Sequence, residues 1–376
     1  MVGMLIGIDA SRAVKRFKTG TEYYSQEIIK ALAQLDEQNE YILYAPTEPQ
    51  GSLANLPKNF RWKIMPFPRL WSQVRLSAEL VRGKPTPDVI FEPAHTIPIV
   101  HHRKMVVTIH DLGFVHFGEL YTPLERLYHN FSLNYSAKHA AKIITPSNYT
   151  KRDLIRHLPI DPRKISVIYH GFDKEKFRPA TEKEREMALP HGITPPYIFF
   201  VGRLELKKNV DGMIEAYRLL REEKSVAHKL VLAGRPGWGY EKIKEKINAL
   251  PDEVRKDVIE LGYVGERDYP ILLKRADILF FPSWFEGFGL PVLEAMAAGV
   301  PVVASSQTSL PEIAGNGAIL AKPSKPLEMA AALSKLLHKS DFRKSQILKG
   351  RVRANSFSWR RAAKETLAVL EEVGRS

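Results

Sequence analysis

Short runs of apolar, often β-branched residues alternate with longer stretches of helical periodicity along the whole chain. In the first half, these runs predict seven strands, at Leu5–Asp9, Tyr41–Tyr44, Trp62–Met65, Val89–Phe91, Met105–His110, Ile143–Thr145 and Ile165–Tyr169. The series restarts in the second half and predicts six more, at Tyr197–Val201, Leu230–Ala233, Val258–Leu261, Ile278–Phe281, Val300–Ala304 and Ala318–Leu320. Strands that alternate with helices are typical of parallel sheets covered by helices, so the predicted fold class is α/β.

The two series predict two domains, because 376 residues exceed what one ordinary α/β core holds. Between them, the stretch from His170 to Pro196 loses its periodicity and contains four prolines, which is typical of a linker. We therefore predict an N-terminal domain of residues 1–180 and a C-terminal domain of residues 181–356, with parallel sheets that face each other across a cleft. A final helix is predicted from Phe357, because apolar residues recur there at helical spacing.

Composition narrows the possible chemistry. The chain has no cysteine, which excludes a thiolate nucleophile, a disulfide and a Cys-ligated zinc. A formal charge of +14 suits phosphates, nucleic acid or an anionic membrane, but the charge is spread over both halves and no nucleic-acid-binding motif is present. The apolar start from Met4 to Ile8 is too short for a signal peptide or a membrane span. We therefore expect a cytoplasmic protein with no nucleic-acid partner.

The most informative segment runs from Ile278 to Ala304 and predicts a strand, a glycine turn, a helix and a strand. Pro291 suits the first helical turn, and Gly299 suits the helix end. The start of this helix offers free N–H groups and the positive end of a helix dipole, which predicts an anion site for a diphosphate. Two carboxylates, Glu286 and Glu294, flank that site and can accept hydrogen bonds from hydroxyl groups. The residues of the predicted anion site are Gly287, Phe288, Gly289 and Leu290.

Basic and polar residues follow other predicted strands at their carboxyl ends, where ligands of open α/β sheets bind. Arg203 can donate a bidentate pair of hydrogen bonds to phosphate oxygens, and Lys208 can add a point charge from the start of the next helix. In the first half, His110 lies at the end of a strand, and Gly20 lies between two threonines just before a helix. Taken singly, such residues are more often solvated or structural than functional.

The motifs together resemble the retaining glycosyltransferase family called family 4, which has the GT-B fold of two Rossmann-like domains. The resemblance is carried by Glu286 to Val303, by Gly-Arg-Leu-x-x-x-Lys ending at Lys208, and by His-Asp-Leu at His110. It extends over almost the whole chain. The chain departs from the family at Gly20, where it has Thr-Gly-Thr in place of a glycine pair.

The resemblance implies a role for each of these residues. Arg203 and Lys208 would hold the donor's diphosphate, Glu286 would bind hydroxyl groups of the donor sugar, and Glu294 would bind the ribose. His110 would contact the donor sugar, and Gly20 would belong to a loop that closes over the phosphates. The backbone around Val264 would meet the nucleobase. The helix of residues 357–376 would cross back to join the first domain.

By the same resemblance, the reaction retains anomeric configuration and uses a nucleoside diphosphate sugar without a metal or any other cofactor. No Asp-x-Asp metal pair is present. GDP-mannose is favoured over a UDP-hexose, because the chain looks like the bacterial polysaccharide mannosyltransferase branch, and the expected acceptor is a glycan or a lipid-linked glycan.

Three other functions are alternatives. A sugar-nucleotide 2-epimerase shares the fold. A nicotinamide dehydrogenase is disfavoured, because no Gly-x-Gly-x-x-Gly follows the first strand of either half. The third is a non-enzymatic basic module that binds RNA or membrane.

The segment Lys58–Lys84 interleaves basic and aromatic residues, which is typical of contact with an anionic membrane. The alternative is an ordinary core strand followed by a packed helix. Peripheral contact with the inner face of the membrane is therefore a further expectation.

Overall fold

The computed structural model describes residues 3–100, 104–223 and 226–376, which form two compact units. The first unit contains the chain up to Gly171 together with Ser358–Ser376, and the second contains Phe172–Phe357. Each unit has one parallel sheet of its own.

The first unit has a seven-stranded sheet in the order β3-β2-β1-β4-β5-β6-β7, and every neighbouring pair is parallel. Its central strands are buried on both faces because helices cover both sides, which explains their continuous apolar sequences. The strands are β1 (Leu5–Asp9), β2 (Glu40–Ala45), β3 (Phe60–Ile64), β4 (Val89–Glu92), β5 (Lys104–Thr108), β6 (Lys142–Thr145) and β7 (Ile165–Val167). The helices are α1 (Gly20–Leu35), α2 (Ser77–Arg82, preceded by a π-helical turn at Ser72–Leu76), α3 (Gly113–His116), α4 (Pro123–His139) and α5 (Asn148–His157).

The second unit has a six-stranded parallel sheet in the order β10-β9-β8-β11-β12-β13. Its strands are β8 (Tyr197–Val201), β9 (Lys229–Ala233), β10 (Val258–Gly262), β11 (Ile278–Phe281), β12 (Val302–Ser305) and β13 (Ile319–Ala321). Its helices are α6 (Glu182–Glu186), α7 (Val210–Arg221), α8 (Tyr240–Asn248), α9 (Asp252–Arg255), α10 (Asp268–Arg275), α11 (Leu290–Ala297), α12 (Leu310–Ala314), α13 (Pro326–His338) and α14 (Ser340–Ala354). The first strand of the series, β8, lies inside the sheet, so the strand order reverses beside it.

The last helix, α15 (Trp359–Arg375), packs on α1 and belongs to the first unit. Ser358 caps its start by accepting a hydrogen bond from the Arg361 N–H. The backbone passes so close to Gly171 that a Cβ there would lie 2.0 Å from the Trp359 nitrogen. Glycine is therefore required where residue 171 meets the start of this helix.

All thirteen predicted strands occur, with ends that match or differ by at most two residues. The largest consequence concerns β5, which ends at Thr108, so His110 lies beyond the strand and not within it. The last helix begins at Trp359 and not at Phe357, because Ser358 takes the capping position. Apolar character continues past an element's end where the next residues are also buried, and a hydrophobic pattern cannot mark that change.

Candidate active site

The glycine turn after β11 leads directly into α11. Gly289 caps this helix with φ of +97°, and a Cβ there would lie 2.3 Å from a methyl group of Leu310. Pro291 occupies the first helical turn, where its missing N–H costs no helical hydrogen bond. The N–H groups of the first turn have no partner within the helix, so this end of α11 is suited to an anion.

The loop after β12 stabilises the glycine turn through hydrogen bonds. The Glu286 N–H donates to the Thr308 hydroxyl at 3.2 Å. The Ser309 hydroxyl lies 2.8 Å from the Glu286 carbonyl oxygen and 3.1 Å from that of Phe288. Phe288 itself is buried and packs edge-on against Phe357. Thr308 and Ser309 were not predicted from the sequence, where the local signal is a short polar stretch after a strand.

Lys208 and Glu286 form the closest charged pair at this end of the sheet. Their Nζ and Oε1 atoms are 2.6 Å apart, and their side chains are only 17% and 13% exposed. The turns that carry them are also joined through the backbone, because the Trp284 N–H donates to the Lys207 carbonyl oxygen at 3.0 Å. The structure therefore brings together two predicted residues that lie far apart in the sequence.

Asn209 anchors the turn that carries Lys208, which is a 3₁₀ turn and not the start of a helix as predicted. Its Nδ2 donates to the carbonyl oxygens of Pro282 (3.1 Å) and Pro323 (2.8 Å). Asn209 adopts a left-handed conformation with φ of +57°, which asparagine tolerates better than most residues, and α7 begins after it. Its side chain ties the turn to the ends of two neighbouring segments.

Arg203 follows β8 but does not join the Lys208–Glu286 pair. Its side chain is 62% exposed, and its Nε lies 3.7 Å from a carboxylate oxygen of Glu205. So long a separation leaves the guanidinium only loosely paired.

Glu294 contacts α10, and Val264 lies in the loop that precedes this helix. Glu294 is buried in α11, and its carboxylate accepts a hydrogen bond of 2.5 Å from the Tyr269 hydroxyl at the start of α10. Val264 is half-buried in the loop between β10 and α10. Next to it, the ring of Tyr263 lies under the guanidinium of Arg235, at 5.1 Å. Tyr269 was not predicted from the sequence.

In the first unit, His110 is buried among aromatic rings. Its Nε2 lies 2.8 Å from the Pro93 carbonyl oxygen, so the proton resides on Nε2 and Nδ1 is left as an acceptor. The rings of Tyr24, His95 and His170 surround it, with centroids 4.7, 5.0 and 5.6 Å away. Burial lowers the pKa of His110, because a charged imidazole would lose its hydration there.

Gly20 is the first residue of α1, directly after the capping residue Thr19. Glu22 reaches back to Thr19 in a capping box and also pairs with Arg12 at 3.2 Å. A Cβ on Gly20 would meet nothing within 4 Å. No atom of residues 3–100, 104–223 or 226–376 therefore requires glycine here.

The two wholly parallel sheets make this an α/β protein of two Rossmann-like units. Comparison with known proteins gives the fold and the family. The structure of Anabaena HepE in complex with UDP-glucose matches this chain with a TM-score of 0.77 and 18% identity. The match covers 98% of this chain and 100% of that one. Likeness at that identity shows the fold alone, which is the GT-B fold of glycosyltransferases.

Residues 18–176 match the family model described as Glycosyltransferase Family 4, and residues 182–353 match the one described as Glycosyl transferases group 1. The chain belongs to this glycosyltransferase family, as the sequence motifs predicted. O-antigen chain mannosyltransferase B of Escherichia coli is 29% identical, over 96% of this chain and 98% of that protein. An uncharacterized glycosyltransferase of Methanocaldococcus jannaschii is 30% identical, over 72% of this chain and 70% of that protein.

Among residues 3–100, 104–223 and 226–376, no helix is long and apolar enough to cross a membrane.

Proposed function

We propose that this glycosyltransferase transfers a hexose from a nucleoside diphosphate sugar with retention of configuration and without a metal. The observation that carries the proposal is the Lys208–Glu286 pair, which lies next to the glycine turn that opens α11. A cation, a carboxylate and a helix start at the carboxyl ends of the paired strands β8 and β11 suit a sugar diphosphate, since the sugar carries hydroxyl groups and the diphosphate carries negative charge.

Leaving-group stabilisation is the chemistry that these groups would supply. When the anomeric C–O bond breaks, negative charge grows on the departing diphosphate. Lys208 has three N–H donors, so it can keep its contact with Glu286 and also bind a phosphate oxygen. Arg203 is loosely paired and can turn its guanidinium towards the phosphates. Donors placed in this way lower the barrier electrostatically, with no need for a metal ion.

Retention would follow from attack on the same face that the diphosphate leaves. The acceptor hydroxyl oxygen forms the new bond to the anomeric carbon while the bond to the phosphate oxygen breaks. The acceptor's proton passes to the leaving phosphate oxygen. Glu286 would hold hydroxyl groups of the sugar, Glu294 the ribose, and the backbone at Val264 the base. His110 and Gly20 are the proposed contacts from the first unit.

GDP-mannose is the proposed donor, and a glycan or lipid-linked glycan is the proposed acceptor. The support is the resemblance of motifs and the name of the E. coli relative, an O-antigen chain mannosyltransferase, which aligns over nearly the full length of both chains. A UDP-hexose is the competing donor.

The decisive experiment uses purified full-length protein. A thermal-shift panel of GDP, UDP, GDP-mannose and UDP-glucose names the base, because a ligand that binds only the folded state raises Tm. NMR of the product from the matching donor and a glycan acceptor then gives its anomeric configuration. Inverted product would overturn the retaining mechanism, and loss of turnover at 25 °C in EDTA, restored by Mg²⁺ or Mn²⁺, would overturn metal independence. Incubation of the donor alone separates the 2-epimerase, which would convert the sugar.

We also propose peripheral contact with an anionic membrane through the first unit, by a surface that includes only part of the expected Lys58–Lys84 segment. Much of the Lys58–Lys84 segment is core, since Phe60, Trp71, Leu76 and Leu80 are buried. Within this segment, exposed apolar residues lie at positions 67–74. Others lie at residues 99–100 and above all on the first half of α4, where Leu124 and Leu127 are 76% and 67% exposed. We define the apolar surface by its members Phe67, Leu70, Val74, Ile99, Leu124, Leu127, Tyr128 and Phe131.

The parts of this apolar surface are joined by hydrogen bonds. Gln73 bonds to the backbone of Ile97 and Ile99, and the Tyr135 hydroxyl of α4 donates to the Ile99 carbonyl oxygen. Arg69 and Arg126 lie within the same segments. An apolar face with basic neighbours suits the boundary between headgroups and acyl chains of an anionic bilayer.

A further inference from the structure

A cluster of two histidines and an aspartate lies in the first unit and contains none of the residues assigned above. His116 ends α3, and Asp153 and His157 lie one turn apart on α5. The His116 Nε2 is 2.8 and 3.0 Å from the two carboxylate oxygens of Asp153. The His157 Nδ1 is 3.3 Å from the same carboxylate, and all three ligand atoms lie within 4.8 Å of one another.

These distances suit a metal ion. A tetrahedral zinc ion, with bonds of about 2.0–2.2 Å, keeps its ligand atoms about 3.3–3.5 Å apart. The observed separations bracket that value, so small side-chain movements would bring the three atoms onto one ion. Asp153 is nearly fully buried, whereas His116 and His157 are 29% and 30% exposed, so solvent can reach the cluster from one side.

We propose that His116, Asp153 and His157 bind one divalent transition-metal ion, with Zn²⁺ as the probe of choice, and that water completes the coordination. Imidazole and carboxylate ligands suit zinc, and their number leaves one position open. The His157 Nδ1 now donates to the Asp153 carbonyl oxygen at 2.9 Å. On binding, that proton leaves Nδ1 and the ring carries its proton on Nε2.

The ion would cross-link α3 and α5, because its ligands come from both helices. Both helices adjoin the segment that carries His110, since α3 begins three residues after it. In addition, the Thr150 hydroxyl of α5 lies 3.3 Å from the His110 carbonyl oxygen. A bound ion would therefore stiffen the support of His110 without entering the donor chemistry. This inference does not depend on the proposed function.

The test uses full-length, tag-free protein, freed of metal by chelation and dialysed. We expect Zn²⁺ titration by calorimetry to show one equivalent bound, and excess Zn²⁺ to raise Tm. Substituted Co²⁺ should give the visible bands of a tetrahedral site. His116→Gln and His157→Ala should each weaken binding by about tenfold or more, because even the loss of a residue that only supports a ligand costs that much.

His139→Ala is the matched control, because His139 is an exposed histidine of the same unit at the end of α4, outside the cluster. It should bind Zn²⁺ as the unchanged protein does. Circular dichroism of each variant shows whether it has folded. Absence of stoichiometric binding, or equal binding by the folded double variant His116→Gln/His157→Ala, would overturn the proposal.

Discussion

The Lys208 ammonium lies 2.6 Å from the Glu286 carboxylate, and both side chains are largely buried at the carboxyl edge of the second sheet. Each charge is therefore compensated by the other, and removal of either leaves its partner poorly solvated. The pair is expected to act as a unit when a diphosphate sugar binds.

A double-mutant cycle tests this unit. Lys208→Ala and Glu286→Ala should each lower kcat/KM by about 10²-fold, and the double variant should lose little more than the worse single variant. The control cycle uses Lys244 and Glu260, another pair of the second unit at 2.7 Å, and should leave kcat/KM unchanged. Strictly multiplicative losses at Lys208 and Glu286 would contradict a joint role.

Arg203→Ala should lower kcat by about 10²-fold with no loss of stability, because the exposed guanidinium packs little but would stabilise the leaving diphosphate. Arg203→Lys should recover only part of the rate, since an ammonium lacks the two-pronged geometry. Arg255→Ala is the control, as Arg255 is an exposed arginine of the same unit that pairs with Asp252. A kcat near that of the unchanged protein would remove Arg203 from the diphosphate site.

Gly20→Ala separates ligand contact from folding. The added methyl group meets no protein atom, so the free energy of unfolding should stay within about 0.5 kcal/mol of its original value. If the donor's phosphates approach Gly20, the KM for the donor should rise by about tenfold. Denaturant unfolding and steady-state kinetics on the same sample give both quantities. An unchanged KM would mean that no phosphate lies against this residue.

The buried histidines make stability depend on pH. Burial and the neighbouring His110 lower the pKa of His95 to about 3, and burial also lowers the pKa values of His110 and His170. In the unfolded chain these groups titrate near pH 6.5. For His95 the contribution is therefore fully present above about pH 7 and is lost as the pH falls from there towards 3, and for His110 and His170 it is lost in the same direction. Protonation of His95 should lower the free energy of unfolding by about 1.4 kcal/mol per pH unit within this window.

Denaturant unfolding between pH 7.5 and pH 5 measures that slope. His95→Asn should reduce the slope of unfolding free energy against pH by about 1.4 kcal/mol per pH unit, which corresponds to one proton. Asparagine suits the left-handed backbone of residue 95. His139→Gln should leave it unchanged, because His139 is exposed. A free energy of unfolding that is constant over this range would contradict the burial of neutral histidines.

Contact with a membrane should depend on the apolar surface. The protein should co-sediment with anionic but not with neutral liposomes, and salt should release it, because each basic contact adds only about 1 kcal/mol. Leu127→Ser combined with Phe131→Ser should weaken binding about tenfold, since both side chains are exposed on α4. Leu348→Ser, at an exposed leucine of the second unit, is the control. Liposome binding that is unchanged by the α4 substitutions would contradict contact through the apolar surface.

The sequence by itself determined where the thirteen strands lie and predicted which residues would form a donor site. The apolar and polar pattern of an element involves residues only a few positions apart. The same is true of the glycine and proline that start α11, so the sequence alone predicts both features. Thirteen strands were predicted in this way, and so was the family, whose motifs each lie on one short segment.

Only the tertiary structure decided which of these residues meet. Glu286 follows Lys208 by 78 positions, yet β11 pairs with β8, and this pairing brings the two turns together. The contacts of Ser309 with the glycine turn and of Tyr269 with Glu294 likewise join separate loops. Burial of His110 among Tyr24, His95 and His170 depends on where four different segments pack. A local pattern carries no information about such partners, because strand order and helix packing bring them together only when the whole sheet forms.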